Sequence, residues 1–382
     1  MKQTNIYLDY NSTTPLDERV LKSMLPFFKD NFANSASNHH FGKKIKREVD
    51  NARELIGEII GASSNEITLT SGATESINLA IKGLAFNSGK MRHIITVRTE
   101  HKAVLDCCKY LETIGFEVDY LEVDSEGIIN ISDLKFAIRV DTLLVCVMYA
   151  NNETGVIQNI KEIGEVVRNS NAFLMSDATQ VIGKIKINAE DNFIDILCYS
   201  AHKFYGPKGI GALYLNRNRV SKNLLIPQIH GGGHENGLRS GTLNVPSIIG
   251  FAKACEISNS EISLYYGKIK EMRDFLELEL MKVNGARING NTTNRLNNTT
   301  NISFENIDAN VFIGQINSLS ISNGSACNSS VFEPSHVLMA MGIEKERAYS
   351  SLRFSIGKFN TMDEIKESLK LIHNILNINS YA

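Results

Sequence analysis

A lysine and an aspartate carry the clearest chemical signal in this sequence. Lys203 closes the stretch Ser-Ala-His-Lys, and Asp177 lies upstream, directly after an apolar run. A lysine amine can bind an aldehyde covalently, and a carboxylate can keep a pyridine nitrogen protonated. Gln180, three residues after Asp177, can donate a hydrogen bond to an oxygen on the same ring. This combination is what pyridoxal 5'-phosphate (PLP) chemistry requires, so the sequence predicts that cofactor.

A phosphate site is predicted at residues 71–75, Ser-Gly-Ala-Thr-Glu. The stretch follows an apolar strand and opens a helix, whose N-terminus offers unpaired N–H groups to an anion. Ala73 and Thr74 would contact the phosphate, and Ser200 and His202 add donors beside the lysine. Alone, such a stretch is more typical of a glycine turn before a helix. In a chain that also carries the lysine and aspartate, we interpret it as the phosphate site.

Three further polar residues are candidates for contacting cofactor or substrate. His101 follows a strand, and an imidazole there can stack on a ring and move protons near neutral pH. Arg353 lies inside a strand pattern and can pair with an amino-acid carboxylate through two parallel hydrogen bonds. Asn152 can reach the ring or the same carboxylate. The structural alternatives are a salt bridge for Arg353, a turn for Asn152 and a helix cap for Asp177, and the sequence leaves them open.

Cys327 lies among small polar residues, in Gly-Ser-Ala-Cys-Asn-Ser-Ser from 324 to 330. This composition predicts an exposed loop in which a thiolate can act as a nucleophile. Cys146 and Cys198 lie in apolar strands instead, which is typical of inert packing. The spacing of the six cysteines matches no zinc motif, and we predict no resident metal.

Alternating strands and helices must position these residues. Buried apolar runs at 66–70, 94–97, 143–149, 173–175, 194–199 and 210–215 are separated by helical patterns. They predict a mostly parallel sheet with helices on both faces. After residue 245 come a long helical stretch, an Asn/Thr-rich segment at 289–301 and further strands and helices. We interpret this part as a smaller α+β unit and the Asn/Thr-rich segment as a surface turn.

Composition narrows the classes of partner. The chain has 382 residues, 43% hydrophobic and 21% charged, with a formal net charge of -2. We therefore expect no direct contact with nucleic acid. No apolar run approaches the length of a membrane span, and the N-terminal residues lack a secretory pattern. We expect a cytoplasmic protein that does not enter a membrane.

Taken together, the motifs resemble those of the class V, fold-type I PLP enzymes, and among them the cysteine desulfurases of the NifS/IscS type. The Gly-Ser-Ala-Cys stretch resembles that of group I desulfurases. The resemblance implies a large PLP-binding domain at residues 14–255 with a mostly parallel, seven-stranded sheet. It implies a small α+β domain from residues 1–13 and 256–382 that carries the cysteine loop. The resemblance is carried by residues 7–10, 71–76, 99–104, 151–153, 177–180, 202–209, 231–235, 239–242 and 324–327.

The resemblance also implies a role for each candidate residue. Lys203 would carry PLP covalently, Asp177 would pair with the ring nitrogen, Gln180 with the ring oxygen, and His101 would stack on the ring. The other cofactor contacts implied are Ala73, Thr74, Asn152, Ser200, His202 and, from the partner subunit of a homodimer, Thr242. The substrate contacts implied are Asn34, Asn152 and Arg353.

The activity implied is the removal of sulfur from L-cysteine. Cys327 would take the sulfur as a persulfide, L-alanine would be released, and the sulfur would pass to an acceptor protein. The acceptor would serve iron–sulfur assembly, tRNA thiolation or DNA phosphorothioation, and Cys327 is also a candidate transient ligand of an iron–sulfur cluster. The alternatives are a selenocysteine lyase or another class V reaction. The intact set of Lys203, Asp177, His101 and Cys327 disfavours a non-catalytic scaffold.

Overall fold

A seven-stranded sheet forms the centre of the larger part of the chain in the computed structural model, which describes residues 5–324 and 333–379. Cys327 lies outside the described residues. The strands are β1 (Ile6–Tyr7), β2 (Ile67–Thr70), β3 (His93–Val97), β4 (Glu117–Leu121), β5 (Thr142–Cys146), β6 (Phe173–Asp177), β7 (Ile196–Ser200), β8 (Gly211–Leu215), β9 (Arg287–Ile288), β10 (Thr299–Ser303), β11 (Leu319–Ser320) and β12 (Ser351–Ser355). The helices are α1 (Glu18–Met24), α2 (Pro26–Lys29), α3 (His40–Glu58), α4 (Ala73–Ala85), α5 (Lys102–Glu112), α6 (Ile131–Ala137), α7 (Ile160–Arg168), α8 (Val245–Leu280), α9 (Ala309–Gln315), α10 (His336–Ala340), α11 (Lys345–Tyr349) and α12 (Met362–Asn379).

The large sheet has the strand order β2-β8-β7-β6-β5-β3-β4. Strand β8 is antiparallel to both of its neighbours, and the other pairs are parallel. The predicted fold, a mostly parallel seven-stranded sheet with helices and a smaller α+β part, is confirmed.

Apolar side chains cover both faces of this sheet. Along β7, Leu197 and Tyr199 join a core that includes residues of α1, α3, α7 and the first half of α8. The alternate residues Ile196 and Cys198 join a second core with α4 and α5. Because successive side chains of a strand point to opposite faces, an uninterrupted apolar run is what a sheet buried on both sides needs.

The smaller part contains a three-stranded antiparallel sheet in the order β12-β10-β9 and the parallel pair β1-β11. Helix α8 reaches both parts of the chain. Phe251 and Cys255 of its first half belong to the large core, whereas Met272 and Leu276 belong to the core of the smaller part. The predicted boundary between residues 255 and 256 falls inside this helix, and the division into two domains stays a prediction.

The interpretation of residues 289–301 as a surface turn is correct for residues 292–294, which form an exposed bend, and wrong for the residues that follow. Asn297, Asn298 and Asn301 are buried, and β10 begins at Thr299. The segment is stable inside the protein because its polar side chains are hydrogen-bonded: Asn298 Nδ2 donates to Asn11 Oδ1 over 3.1 Å, and Asn301 Nδ2 donates to the backbone oxygen of Glu153 over 3.2 Å. No helix within residues 5–324 and 333–379 is long and apolar enough to cross a membrane.

Candidate active site

A cavity of about 560 Å³ lies where strands of the large sheet end. Open parallel sheets bind their ligands at the carboxyl ends of their strands. The lining includes ten of the residues predicted from the sequence: Ala73, Thr74, His101, Asn152, Asp177, Gln180, Ser200, His202, Lys203 and Arg353.

Neighbouring strands place four of these residues. His101 follows β3, Asn152 follows β5, Asp177 ends β6, and Lys203 lies in a short 3-10 turn after β7. Because β7, β6, β5 and β3 are adjacent and parallel, the residues that follow them meet at one edge of the sheet. Residues far apart in the sequence therefore share a cavity.

The Lys203 amine is held by two backbone carbonyls. Its Nζ donates to the carbonyl oxygens of Asn11 and Ser12, each over 2.7 Å. Burial, reinforced by the positive charge of Arg353 and opposed by the negative charge of Asp177, lowers the pKa of Lys203 to about 8. An amine with this pKa has a substantial neutral fraction near physiological pH, as attack on an aldehyde requires.

The turn after Lys203 is strained and well supported. Tyr205 adopts a φ of 69°, in the left-handed region that non-glycine residues seldom occupy. Its backbone N–H donates to Thr14 Oγ1 over 2.7 Å, and its hydroxyl accepts from the backbone N–H of Lys358 over 2.7 Å. Contacts from both parts of the chain therefore hold the conformation that presents the lysine.

The Asp177 carboxylate is 7% exposed and accepts a hydrogen bond from Thr179 N over 2.9 Å. Among the described residues, no lysine or arginine forms an ion pair with it. A buried carboxylate that faces a cavity and forms no ion pair can be stabilised further by a positively charged ligand. The turn hydrogen bond shows that Asp177 also caps local structure, which was the alternative that the sequence left open.

A smaller cavity of about 280 Å³ opens beside the first and shares Ala73, Thr74, Ser200 and His202 with it. Ser200 Oγ accepts from Ala73 N at the start of α4 over 2.7 Å. Gly211 allows this close approach, because a methyl group there would lie 2.6 Å from the Cα of Gly72. Helix α4 is thus fixed with its N-terminus at the cavity, as phosphate binding requires.

Both imidazoles of the site have defined hydrogen bonds. His202 Nδ1 lies 3.1 Å from Thr13 Oγ1, and burial, together with Lys203 and Lys208, lowers the pKa of His202 to about 4. It is therefore neutral near pH 7. His101 caps α5, and its Nδ1 accepts from Ala103 N over 3.1 Å. A neutral His101 ring consequently carries its proton on Nε2.

Arg353 is buried at the wall of the cavity. Its Nη1 donates to the backbone oxygen of Asn152 over 3.0 Å, and its Nη2 donates to Asp9 Oδ1 over 2.5 Å. Its Nε has no hydrogen-bond partner among the described residues, and each Nη carries a second proton. Arg353 therefore makes a salt bridge and retains donors for a carboxylate.

Asn11, which is 1% exposed, is a residue of the site that was not predicted from the sequence. Its backbone oxygen accepts from both Lys203 Nζ and Gln180 Nε2, and its Nδ2 donates to the backbone oxygen of Asn152 over 3.1 Å. Gln180 Oε1 accepts from Lys184 Nζ over 2.8 Å. The available signal was the polar run from Asp9 to Thr14 directly after an apolar strand pattern.

Comparison with known proteins places this geometry in a family. The aminotransferase class-V model matches residues 6–367, which is most of the chain. The chain belongs to this family. It is 47% identical over 374 residues to cysteine desulfurase IscS of Pasteurella multocida (strain Pm70), covering 97% of this chain and 92% of that protein.

Solved structures agree with the class V assignment. A NifS-like protein superposes with a TM-score of 0.91 at 38% identity, covering 98% of this chain and all of the other. A structure described as SspA in complex with cysteine superposes with a TM-score of 0.83 at 40% identity, covering 93% of this chain and all of the other. The predicted resemblance to NifS/IscS-type cysteine desulfurases is confirmed.

The residues around the class V cavity fit PLP. The Lys203 amine suits the aldehyde, and the N-terminus of α4 suits the phosphate. The Asp177 carboxylate, which forms no ion pair with a described residue, suits the ring nitrogen. Thr179, which lines this cavity, has a buried hydroxyl without a hydrogen-bond partner among the described residues. Buried hydroxyls of this kind leave hydrogen-bonding capacity for a polar ligand.

Three of the predicted site residues are not among the described residues that line the cavity. Asn34 is exposed, and its Oδ1 accepts from Ala36 N over 2.9 Å in a local turn. Thr242 is exposed and lines a third cavity with Ser71 and Gly209, both of which also line the cavity of about 280 Å³ at the start of α4. Cys327 lies outside the described residues. The roles of all three stay predictions.

Proposed function

We propose that this class V protein is a PLP-dependent cysteine desulfurase whose nucleophile is Cys327. The observation that carries the proposal is the convergence of Lys203, Asp177 and the N-terminus of α4 on one cavity that Arg353 also lines. The first three suit PLP and the arginine suits the carboxylate of an amino acid. The similarity to cysteine desulfurases supports L-cysteine as that amino acid.

The proposed reaction balances without an external oxidant. The Cys327 thiolate attacks the sulfur of bound L-cysteine, so an S–S bond forms as the substrate Cβ–S bond breaks. The electron pair of the broken bond stays on Cβ, which takes up a proton and becomes the methyl group of L-alanine. Cys327 is left as a persulfide, and two molecules of an external thiol can reduce it, giving sulfide and a disulfide.

The chain's own residues would bind and orient. Bound PLP supplies an electron sink that makes the substrate Cα–H bond acidic. Asp177 would stabilise that sink by keeping its ring nitrogen charged, and Gln180 would donate to its ring oxygen. Arg353 and Asn152 would hold the substrate carboxylate. Lys203, with its lowered pKa, can accept and return protons beside the substrate, and His101 would stack on the ring.

We further propose that the protein acts as a homodimer in which Thr242 reaches the phosphate site of the partner subunit. The large side chains of Leu25, Phe28, Phe32 and Phe41 are more than half exposed, which is typical of a surface that another protein covers. The sulfur would pass to an acceptor protein in the cytoplasm. The five cysteines of the described residues carry free thiols, which agrees with a reducing compartment.

The first test compares the wild-type protein with Cys327→Ser. Each PLP-loaded protein is incubated with L-cysteine and a thiol reductant, and alanine and sulfide are followed together. We expect equal amounts of both products from wild type. In Cys327→Ser the visible PLP band and its change on adding L-cysteine should persist, while alanine formation falls by about 100-fold or more, because a hydroxyl cannot accept the sulfur.

Two outcomes would contradict the proposal. Alanine formation by Cys327→Ser at the wild-type rate would remove Cys327 as the nucleophile. A wild type that binds PLP but forms no alanine from L-cysteine, and does form it from L-selenocysteine, would favour a selenocysteine lyase. L-Serine, which has no sulfur to transfer, is the control substrate.

A further inference from the structure

A buried carboxylate outside the predicted set joins the cavity to the stretch that carries Cys327. Glu153 is 2% exposed and follows Asn152 in the turn after β5. The turn is held by Asn151, whose Oδ1 accepts from Glu153 N over 2.8 Å and from Thr154 N over 3.0 Å. Asn152 thus lines the cavity, while the next side chain is directed into the protein.

The Glu153 carboxylate contacts both sides of the cysteine stretch. Glu153 Oε2 accepts a hydrogen bond of 2.5 Å from Ser335 Oγ. On the other side it abuts Gly324, where a methyl group would lie 2.5 Å from the same oxygen. Gly324 also has a φ of 81°, so both its backbone conformation and the carboxylate favour glycine. Gly324 and Ser335 bracket residues 325–334, which include Cys327.

Each flank has a second connection to the structure. Ser335 Oγ accepts from Leu338 N over 3.2 Å and so caps α10. Two residues before Gly324, Ser322 pairs through its backbone with Arg353, and Arg353 donates to the backbone oxygen of Asn152. Direct contacts therefore connect Arg353, the turn at Asn152 and both ends of the cysteine stretch.

The carboxylate has no ion-pair partner among the described residues. Burial raises the pKa of Glu153 to about 7, although the hydrogen bond from Ser335 and the charges of Arg353 and Lys102 oppose the rise. A buried carboxyl group of this kind is costly for the fold, because desolvation disfavours its charged form. The hydrogen bond between Glu153 and Ser335, at one end of the cysteine stretch, indicates a role for the carboxyl group beyond packing.

We propose that Glu153 is a positioning residue for sulfur transfer: by hydrogen-bonding to Ser335 and packing against Gly324 beside the cavity turn, it fixes the two ends of the stretch that carries Cys327. This inference rests on the proposed desulfurase function. Cys327 follows Gly324 by three residues in the sequence, so displacing that end changes the effective concentration of the thiol at the cavity.

The test separates positioning from thiol reactivity by measuring two rates on the PLP-loaded protein. The first is the rate of persulfide formation on Cys327 in the first turnover with L-cysteine, measured by mass spectrometry. The second is the rate of Cys327 alkylation by iodoacetamide without substrate, which needs no positioning. We expect Glu153→Ala to lower the first rate about tenfold and to change the second by less than about twofold.

Matched variants sharpen the result. Glu153→Gln keeps an oxygen that can accept from Ser335, so its first rate should stay within about threefold of wild type. Ser335→Ala should lower the first rate. The double variant Glu153→Ala/Ser335→Ala should be no slower than Glu153→Ala, because the hydrogen bond between the two residues is already lost in the single variant. Glu333→Gln removes an exposed carboxylate from the same stretch and should change neither rate.

The proposal is overturned if Glu153→Ala leaves the ratio of the two rates at its wild-type value, whether both rates are unchanged or both fall together. It is also overturned if the effects of Glu153→Ala and Ser335→Ala multiply. Should Glu153→Ala fail to fold, Ser335→Ala must still lower the ratio. A wild type that forms no persulfide and no alanine would instead contradict the desulfurase function itself.

Discussion

The surroundings of Lys203 alter the chemistry of its amine. Its surroundings lower its pKa to about 8, compared with 10.5 for an unperturbed lysine. Since the neutral amine attacks an aldehyde, covalent attachment of PLP to the cofactor-free protein should speed up with rising pH and level off above about pH 8. An ordinary lysine would continue to gain rate up to about pH 10.

The measurement follows the appearance of the visible band after PLP is mixed with cofactor-free protein between about pH 6.5 and 10. Lys203→Ala supplies the background from other lysines, which is subtracted. A rate that keeps rising about tenfold per pH unit up to pH 10 would show that the amine is not perturbed.

The sequence predicted the residues of the site better than it predicted their contacts. Lys203, Asp177 and His101 have side chains whose type and position after a strand already indicate chemistry. Asn11 was not predicted, and Glu153 was assigned no role although it lies in the stretch 151–153, because the roles of both residues depend on their contacts in the fold. The partners of Asn11 include Asn152 and Asn298, which are more than 100 residues away in the sequence, and only the fold brings them together.

The short segment after β1 contacts several elements of the fold through Asn11. The Asn11 side chain donates to Thr299 Oγ1 over 2.9 Å and accepts from Asn298 Nδ2, both at the start of the small sheet. The same side chain donates to the backbone oxygen of Asn152 at the cavity. It therefore connects the first residues of the chain, the large sheet and the small sheet.

We expect Asn11→Ala to lower the free energy of unfolding by about 2–4 kcal/mol, because several buried polar groups lose their partner at once. Urea unfolding of the cofactor-free protein, followed by circular dichroism, measures the change. Ser12→Ala alters an exposed neighbour whose carbonyl, not its hydroxyl, contacts Lys203, and it should stay within about 0.5 kcal/mol of wild type. A loss for Asn11→Ala no larger than that of Ser12→Ala would contradict the role of this connection.

Patterning could predict the strands and helices because their burial repeats regularly along the chain. The runs at 173–175 and 194–199 became β6 and β7, and the stretch after residue 245 became α8. The second half of the Asn/Thr-rich segment, residues 295–301, was wrongly predicted to be exposed, because its burial depends on polar side chains that hydrogen-bond to one another and to neighbouring groups. Composition suggests exposure for such residues, whereas a complete hydrogen-bond network permits burial.

At the scale of the whole molecule, one chain does not account for every predicted contact. Thr242 lies outside the main cavity of its own chain, although it shares a neighbouring cavity with Ser71. Arg239, three residues earlier, donates through its Nε to Glu75 Oε1 over 2.8 Å in the first turn of α4. The segment that carries Thr242 is thus connected to α4, whose N-terminus is the proposed phosphate site. The exposed apolar side chains Phe28 and Phe41 are candidates for the interface of the proposed homodimer.

If Thr242 serves the partner subunit, each site combines Lys203 of one chain with Thr242 of the other. Lys203→Ala and Thr242→Ala proteins should then complement each other. In a mixed dimer, the Thr242→Ala chain keeps its own lysine and receives an intact threonine from its partner, so one wild-type site is restored. If Thr242 served its own chain, neither site of the mixed dimer would be complete.

Equal amounts of the two variants, carrying different tags, are allowed to exchange subunits and are then given PLP at a concentration that loads wild type but not Thr242→Ala. Borohydride reduction fixes PLP that is bound to Lys203. Random exchange makes half of the dimers mixed, so we expect PLP on about a quarter of all chains, each of them a Thr242→Ala chain. Exchange shown by the tags without any gain in fixed PLP would contradict action across the interface, because only that arrangement can rebuild a complete phosphate site from two defective chains.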